Sequence, residues 1–438
     1  MSESKGMSLS ARIFLGMILG AIVGLVLNYL ETPQWSEVWL LDGIFLVVGS
    51  IFISLLKMLV VPLVFVSIVC GSSALSDPKA LGRVGGKAIG LYLLTTGIAV
   101  ALALSAAAIF KPGVGANPTA TVDATISEGK PFAQVLIDMV PTNPVAAMSD
   151  ANMLPIIIFS ILLGVAITLS GKTGNRVSAW FNDINAVIMK LVTIVMKIAP
   201  YGVFALIANL AATSNTSDFL AVGRYILLVF AVLFLHALVV YPTLLATLGR
   251  LNPKIFLWKM RAAMMFAFST ASSNATIPVT MESVQERLGV SNKVSSFTIP
   301  LGATINMDGT AIMQGIATGF IAQFYGIDLS LTQYLMVVLM VIMASIGTAG
   351  VPSVGLVVLA GVLTQVGLPA EGIALILGVD RILDMTRTAV NVTGDATVTS
   401  IVAVSENAID MDVFNDPEAG LVFESSEKDN APAAIEHA

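Results

Sequence analysis

Five ionisable residues, Asp380, Arg381, Asp384, Arg387 and Asp395, stand in an otherwise uncharged stretch near the C-terminal end of the chain. A charge at a bilayer centre costs roughly 2.5–3.5 kcal/mol. Five facing lipid would cost on the order of 12–15 kcal/mol, so they must face protein or water. On a helix turning about 100° per residue, positions 380, 384, 387, 388, 391 and 395 form one stripe. The stripe reads Asp, Asp, Arg, Thr, Asn, Asp. Such a face either pairs ions between helices or walls a site for a zwitterionic or anionic solute.

A second polar group, Thr304, Asn306, Asp308 and Thr310, has a spacing of two that fits no single helical face. Unwinding beside Gly309 would expose carbonyls next to Asn and Asp oxygens. That chemistry suits a hard cation such as sodium, or a kink filled with water. A third group, Thr270-Ala-Ser-Ser273, offers hydroxyls and backbone amides. It fits either a carboxylate at a half-helix N-terminus or close helix packing.

The elements that must carry these groups are apolar. The 438 residues are 56% hydrophobic and only 11% charged, with a mean hydropathy of +0.90. A soluble globule carries about 25% charged residues, so the chain reads as an all-α polytopic membrane protein. Long apolar runs occupy 11–30, 41–73, 84–110, 132–171, 177–210 and 219–249. The run 132–171 is expected to break near Pro141, Pro144 and Pro155. Residues 254–289 and 330–367 differ from these. Each is a pair of short apolar arms around a polar middle, Ser269-Thr-Ala-Ser-Ser-Asn-Ala-Thr276 and Ser345-Ile-Gly-Thr-Ala-Gly-Val-Pro352. They read as re-entrant hairpins, whose bare tips survive only in protein or at a cavity. Each precedes a helix with the signature Asn-x-x-Gly-x, Asn306-Met-Asp-Gly-Thr310 and Asn391-Val-Thr-Gly-Asp395. Hairpin plus helix, twice, is an internal repeat of the kind that builds a transport site.

Basic residues Lys79, Arg83, Lys87, Lys172, Arg176, Arg250, Lys254, Lys259 and Arg261 fall on one side if the N-terminus is cytoplasmic; Lys111 and Lys130 are exceptions. The first hairpin then opens from the cytoplasm, the second from outside, and the C-terminus is cytoplasmic. Residues 406–438 hold nine acids and one lysine, and 409–438 read as an acidic, disordered cytoplasmic tail not needed for transport. The remainder is near neutral, which gives no footing for nucleic acid. One cysteine, Cys70, excludes an internal disulfide, and two histidines exclude a His-rich metal site. His236, in an apolar segment, reads as structural. No His-Glu-x-x-His, Gly-x-Ser-x-Gly or Gly-x-Gly-Asp occurs, so the chain is not read as an enzyme.

Three motifs carry a resemblance: Ser296-Phe-Thr-Ile-Pro-Leu-Gly-Ala-Thr-Ile-Asn-Met-Asp-Gly-Thr310, Gly347-Thr-Ala-Gly-Val-Pro352 and Asp384-Met-Thr-Arg-Thr-Ala-Val-Asn-Val-Thr-Gly-Asp395. With them the chain, from about residue 10 to 405, resembles the dicarboxylate/amino acid:cation symporter family, which includes glutamate and aspartate transporters. The resemblance implies eight transmembrane helices, two re-entrant helical hairpins, inverted repeats, a homotrimer and an elevator mechanism. Its domain plan assigns 1–83 to scaffold helices 1 and 2. It assigns 84–131 to helix 3 of the transport domain and an outside loop, and 132–218 to scaffold helices 4 and 5. Residues 219–408 complete the transport domain with helix 6, hairpin 1, helix 7, hairpin 2 and helix 8. A multi-pass protein of the inner (plasma) membrane follows.

By the same resemblance Arg387 pairs with a substrate's side-chain carboxylate and Asp384 holds its amino group. Ser272, Ser273, Thr388 and Asn391 bind the main carboxylate, and Thr310, Val351 and Gly355 close the pocket. Co-transported sodium ions, with no organic cofactor, are implied at three places. One uses Gly302, Asn306, Asn391 and Asp395. A second uses Thr304, Ser345, Ile346 and Thr348. A third uses Tyr92, Thr95, Thr96, Asn306 and Asp308. Archaeal members carry an arginine where this chain has Ala271, and animal members one where it has Met385. Both being absent puts the coupling stoichiometry in question. The expectation is a sodium-driven symporter importing aspartate or glutamate. The alternatives are a proton- or sodium-coupled C4-dicarboxylate symporter, against which Asp384 speaks, and a neutral amino acid symporter, against which Arg387 speaks. Anion conduction is a side activity in the family.

Overall fold

The computed structural model describes residues 9–30, 37–74, 81–116, 134, 137–213, 216–346, 350, 354–377 and 379–420. Helices dominate. Among the described residues the one β feature is an isolated antiparallel bridge between Val290 and Ile409. Helical stretches long and apolar enough to cross a membrane are Ala11–Tyr29, Glu37–Ser73, Arg83–Phe110, Gly171–Met196 and Leu220–Gly249. Their outward faces expose residues such as Ile22, Leu25, Ile51, Val187 and Leu227, which water would not tolerate in such number. The protein is an integral membrane protein.

Helix α1 (Leu9–Tyr29) is followed by α2 (Leu46–Ala74) and α3 (Gly86–Phe110), each of the latter entered through a π-helical stretch, Glu37–Phe45 and Leu81–Gly85. The run 132–171 breaks before α4 (Pro144–Ser149), which Asn143 caps by accepting from the N–H groups of Val145 and Ala146. Pro155 does not break α5 (Met153–Leu169); it sits in the first turn, where its missing N–H is not needed. The run 177–210 is two helices, α6 (Gly171–Met196) and α7 (Ala199–Thr213), parted at Lys197 and Ile198 just ahead of Pro200.

Helix α1 packs along α7. A Cβ on Gly20 would come 2.6 Å from the Phe204 carbonyl oxygen, and Cβ atoms on Gly16 and Gly24 would strike the carbonyls of Pro200 and Ala208. Glycine at every fourth position lets two backbones touch, as membrane helices do where hydrophobicity cannot drive association. The same device joins α3 to the helix carrying Gly315 and Gly319, whose added Cβ atoms would lie 2.8 and 2.7 Å from those of Ala103 and Ala107.

Helix α8 (Thr216–Leu235) continues through π-helical His236–Val240, a turn at Tyr241–Leu244, and π-helical Leu245–Gly249. The first polar-centred pair is α9 (Pro253–Thr270) and α10 (Ser273–Glu282), which pack on one another. Their turn is two residues. Ala271 is left-handed (φ 50°), and Ser272 caps α10, its hydroxyl accepting from the Ala275 N–H at 3.2 Å. Next come α11 (Asn292–Ile305) and α12 (Asp308–Phe324). The second pair is α13 (Leu331–Ser345), opened by a Ser330/Gln333 capping box, and α14 (Val354–Gln365). Helix α15 (Ile373–Leu377) leads into α16 (Asp380–Ser405), which runs unbroken among α9, α11 and α12.

The two Asn-x-x-Gly signatures therefore fold differently: Asn306 and Met307 separate two helices, whereas Asn391–Asp395 stay helical.

The expectation of a disordered tail from 409 needs correction for its first part. Residues Met411–Asn415 form α17, capped by Asp410, and Phe414 is fully buried. Lys259, also fully buried, donates to the carbonyls of Arg287 and Val413 at 2.7 Å each. The acid excess hides Ile409 and Phe414, two apolar residues that pack in the docked segment. Residues 421–438 lie outside the described residues.

Candidate functional site

The break between α11 and α12 leaves backbone groups without helical partners, and other elements supply them. The Ser345 hydroxyl, at the end of α13, donates to the Ile305 carbonyl at 2.6 Å and accepts from the Met307 N–H at 3.1 Å. Asn391 Oδ1, from α16, accepts from the Gly309 N–H at 2.7 Å. In a water-poor interior each unmet group would cost about 1–3 kcal/mol, so the break persists only because these side chains meet it. Gly309 has no Cβ because one would strike the backbone of Arg387.

The tips of the two helix pairs meet at the same depth. Ser272 Oγ donates to the Gly350 carbonyl at 2.7 Å, and the Asn274 N–H donates to it at 3.1 Å. An added Cβ on Gly350 would stand 2.8 Å from Asn274 Oδ1 and 3.0 Å from Ser273 Cβ. Between the tips, the helix break and α16 lies a small polar cavity. Ala271, Ser273, Met307, Thr310, Gly350, Gly355, Asp384, Arg387, Thr388 and Asn391 line it.

Arg387 is 1% exposed. Its Nε donates to Asp384 Oδ1 at 2.9 Å, and its Nη2 is 2.9 Å from the same oxygen. Its Nη1 donates to Asp380 Oδ1, also at 2.9 Å. Arg381 Nη1 lies 3.6 Å from Asp384 Oδ2. Two arginines and two aspartates thus balance in charge. Gly355 lies against the guanidinium, where an added Cβ would be 3.2 Å from Cζ, and Gln314 donates to the Gly355 carbonyl at 3.2 Å. Thr388 donates back to the Asp384 carbonyl at 2.7 Å. Asn391 Nδ2 reaches Met307 Sδ at 3.3 Å and Thr310 Oγ1 at 3.5 Å.

A second polar centre sits behind the break. Asp308 Oδ1 accepts from Thr96 Oγ1 at 2.6 Å, and Oδ2 accepts from the Tyr241 hydroxyl at 2.8 Å. His236 Nε2 lies 3.3 Å from the same Oδ2. Asn306 bridges two elements, accepting from Thr95 Oγ1 at 3.2 Å and donating to Asp395 Oδ1 at 2.9 Å. Gly302 leaves room for both neighbours: a Cβ there would be 2.6 Å from Asp395 Oδ1 and 2.7 Å from the Tyr92 hydroxyl. Tyr92 itself donates to the Thr298 carbonyl at 2.9 Å. Asn306, Asp308 and Asp395 are all essentially inaccessible to solvent.

These oxygens suit sodium. Among the described residues no three of His, Cys, Asp and Glu group to hold a metal ion, but a hard monovalent cation takes hydroxyl, amide and carbonyl oxygens instead. Thr95, Thr96, Asn306 and Asp308 carry oxygens of that kind, here paired by hydrogen bonds Thr95–Asn306 and Thr96–Asp308. The other expected sets are gathered less fully. Asn391 turns to Gly309 rather than toward Asp395, and the Thr304 hydroxyl bonds back to the Pro300 carbonyl at 3.1 Å. Ser345 bridges the break and Ile346 follows it, while Thr348 and Val351 lie outside the described residues.

Sequence reasoning read His236 as structural and did not single out Tyr241; both meet Asp308. Their rings pack edge to face with centroids 4.6 Å apart. They are five apart, a spacing that an α-helix turns away but the π-helical turn His236–Val240 brings together. Asp380 was seen as part of the stripe but not as the partner of Arg387.

A match to the family described as sodium:dicarboxylate symporter spans residues 9–405. The chain is 39% identical over 416 residues to a proton/glutamate-aspartate symporter of Escherichia coli (strain K12), covering 92% of this chain and 94% of that one. It is 34% identical over 427 residues to a proton/sodium-glutamate symport protein of Bacillus subtilis (strain 168), covering 95% and 96%. It is 33% identical over 398 residues to the neutral amino acid transporter B(0) of Mus musculus, covering 80% and 72%. A family match across nearly the whole chain, together with two bacterial relatives matched over more than nine-tenths of both chains, leads to one conclusion: this chain belongs to the sodium:dicarboxylate symporter family.

Proposed function

We propose that the protein is a secondary active symporter that imports aspartate or glutamate into the cell. The observation that carries this reading is Arg387, a buried guanidinium facing a polar cavity beside Asp384, Thr388 and Asn391. A planar fork of donors fits a substrate's side-chain carboxylate. When that carboxylate takes the edge of the guanidinium held by Asp384, Asp384 is released to the substrate's amino group. The main carboxylate then falls to Asn391, Thr388 and the Ser272–Ser273 tip, with Thr310, Val351 and Gly355 closing over it. A C4-dicarboxylate would leave Asp384 facing a second anion, and a neutral amino acid would leave Arg387 without its new partner.

Sodium is the proposed coupling ion, bound first at Thr95, Thr96, Asn306 and Asp308. A substrate of net charge −1 needs at least two sodium ions for net positive entry, and each net charge then gains about 2.3 kcal/mol per 100 mV. Proton coupling is the second reading, favoured because relatives at 39% and 36% identity carry proton/glutamate-aspartate symporter as their name.

The proposed architecture has eight spans and two re-entrant pairs in a homotrimer, with scaffold 1–83 and 132–218 and transport body 84–131 and 219–408. Close packing of α3 on α12, and of α16 on α9, α11 and α12, supports one moving body. Both termini are placed in the cytoplasm of a plasma-membrane protein. The foot of α3 is tied to the end of α16, Arg83 and Lys87 both donating to Glu406, which supports a common side for these two helix ends.

Labelled L-aspartate uptake into proteoliposomes, with sodium and pH gradients imposed separately, tests the reading. Sodium-driven accumulation is expected. Accumulation with the pH gradient alone would transfer the coupling to protons, and no uptake under either gradient would overturn the substrate assignment.

A further inference from the structure

Arg387 is held from two sides, and the sides differ. Asp384 accepts from Nε and faces the polar cavity with Arg387. Asp380 accepts from Nη1, does not line that cavity, and together with Arg381 borders a second, mostly apolar cavity walled by Phe52, Leu56, Val203 and Leu356. Asp380 is 3% exposed, and among the described residues its buried Oδ2 has no hydrogen-bond partner. Among the described residues its one hydrogen-bonded side-chain partner is Arg387. A carboxylate kept buried with half its acceptor capacity unmet is costly, and is tolerated here because Nη1 would otherwise be the unmet group.

The guanidinium is planar, with donors on separate edges. Asp380 occupies the Nη1 edge from behind. The Nε/Nη2 edge, whose two nitrogens both reach Asp384 Oδ1, is left to Asp384 and then to an incoming carboxylate. We infer that Asp380 is a positioning and specificity-determining residue: it fixes which edge of Arg387 the cavity presents, and so sets the preference for acidic over neutral substrates. This rests on the reading of Arg387 as the partner of the substrate's side-chain carboxylate.

Without Asp380, the guanidinium can rotate and Nη1 competes for the same oxygens. Loss of one charge-assisted hydrogen bond corresponds to about a 10–100-fold change in affinity. The test compares wild type, Asp380→Ala and Asp380→Asn in proteoliposomes, measuring KM and maximal rate for L-aspartate and for a neutral amino acid, L-serine. Asparagine keeps an acceptor for Nη1. The expected result is a KM for aspartate raised about 10–100-fold in the alanine variant, with its maximal rate within about threefold of wild type. Competition by serine should be unchanged or stronger, and the asparagine variant should return close to the wild-type KM. If the alanine variant does not survive purification, Asp380→Val, which fills the space without an acceptor, takes its place. An unchanged KM overturns the inference. So does a loss confined to maximal rate, or an equal shift for aspartate and serine. Wild-type protein that does not transport aspartate would instead sink the functional reading beneath it.

Discussion

Asn391 Oδ1 accepts the backbone N–H of Gly309 at 2.7 Å, so a side chain of α16 completes the first turn of α12. The residue read as a substrate ligand is also what holds the helix break in shape. Asn391→Ala should therefore lose twice. The orphaned amide costs about 1–3 kcal/mol, and uptake should fall to background. Asn391→Asp, which keeps the acceptor, should recover most of the melting temperature and not the uptake. Thermal unfolding in detergent and uptake assays on both variants check this.

Ser345→Ala removes the hydroxyl that serves two backbone groups of the same break, the Ile305 carbonyl and the Met307 N–H. The expected cost is about 1–3 kcal/mol, and Ser345→Thr, which keeps the hydroxyl, should be milder. A variant as stable as wild type would mean that water can replace the hydroxyl.

Ala271 adopts φ 50° at the turn between α9 and α10, a conformation that costs a residue with a Cβ roughly 1–2 kcal/mol. Ala271→Gly should relieve most of that, less the greater freedom of glycine in the unfolded chain. A melting temperature raised by a measurable margin is the expected result; a lowered one would place the Ala271 methyl group, 2% exposed with its residue, among the necessary packing contacts.

Glu406 is held down to about 2, first by the hydrogen bond from Arg83 and then by that from Lys87. A carboxyl lowered on folding stabilises fully above its unfolded value of about 4.3, and loses that contribution as pH falls towards its folded value. The stability gap between wild type and Glu406→Gln should be constant from neutral pH to about 5 and narrow below about 4. A gap independent of pH would show that Glu406 acts through packing rather than charge.

The tail offers a contrast between two truncations. Removal of residues after 420 should leave stability and uptake intact. Removal after 408 takes away Phe414 and one acceptor of the buried Lys259 amine, and should lower the melting temperature. Phe414→Ala alone should cost about 3–5 kcal/mol of the segment's docking. Hydrogen exchange over α9 and 408–420 reads it directly.

Much of the site was legible in the sequence because charge is expensive in a membrane. Of the six stripe positions on α16, Asp384, Arg387, Thr388 and Asn391 line one cavity while Asp380 and Asp395 lie off it, and the spacing of two from Thr304 to Thr310 anticipated the break at Asn306 and Met307. Other features depend on geometry that a regular 3.6-residue period does not encode. His236 and Tyr241 meet through a π-helical turn. Gly350 meets Ser272 and Asn274 across two separate helix pairs. The docking of Phe414 was hidden by averaging over an acidic tail, and the split at Lys197 and Ile198 by an apolar run that continues across it.

The central claim is that Arg387 reads the acidic side chain of the substrate. The direct measurement is uptake of L-aspartate and L-serine by Arg387→Ala in proteoliposomes, beside wild type and with folding verified by melting temperature. Aspartate uptake should be abolished, while serine should be admitted or at least compete as well as it does in wild type. Aspartate transport with an unchanged KM would contradict the account and send the search for the carboxylate's partner elsewhere in the cavity.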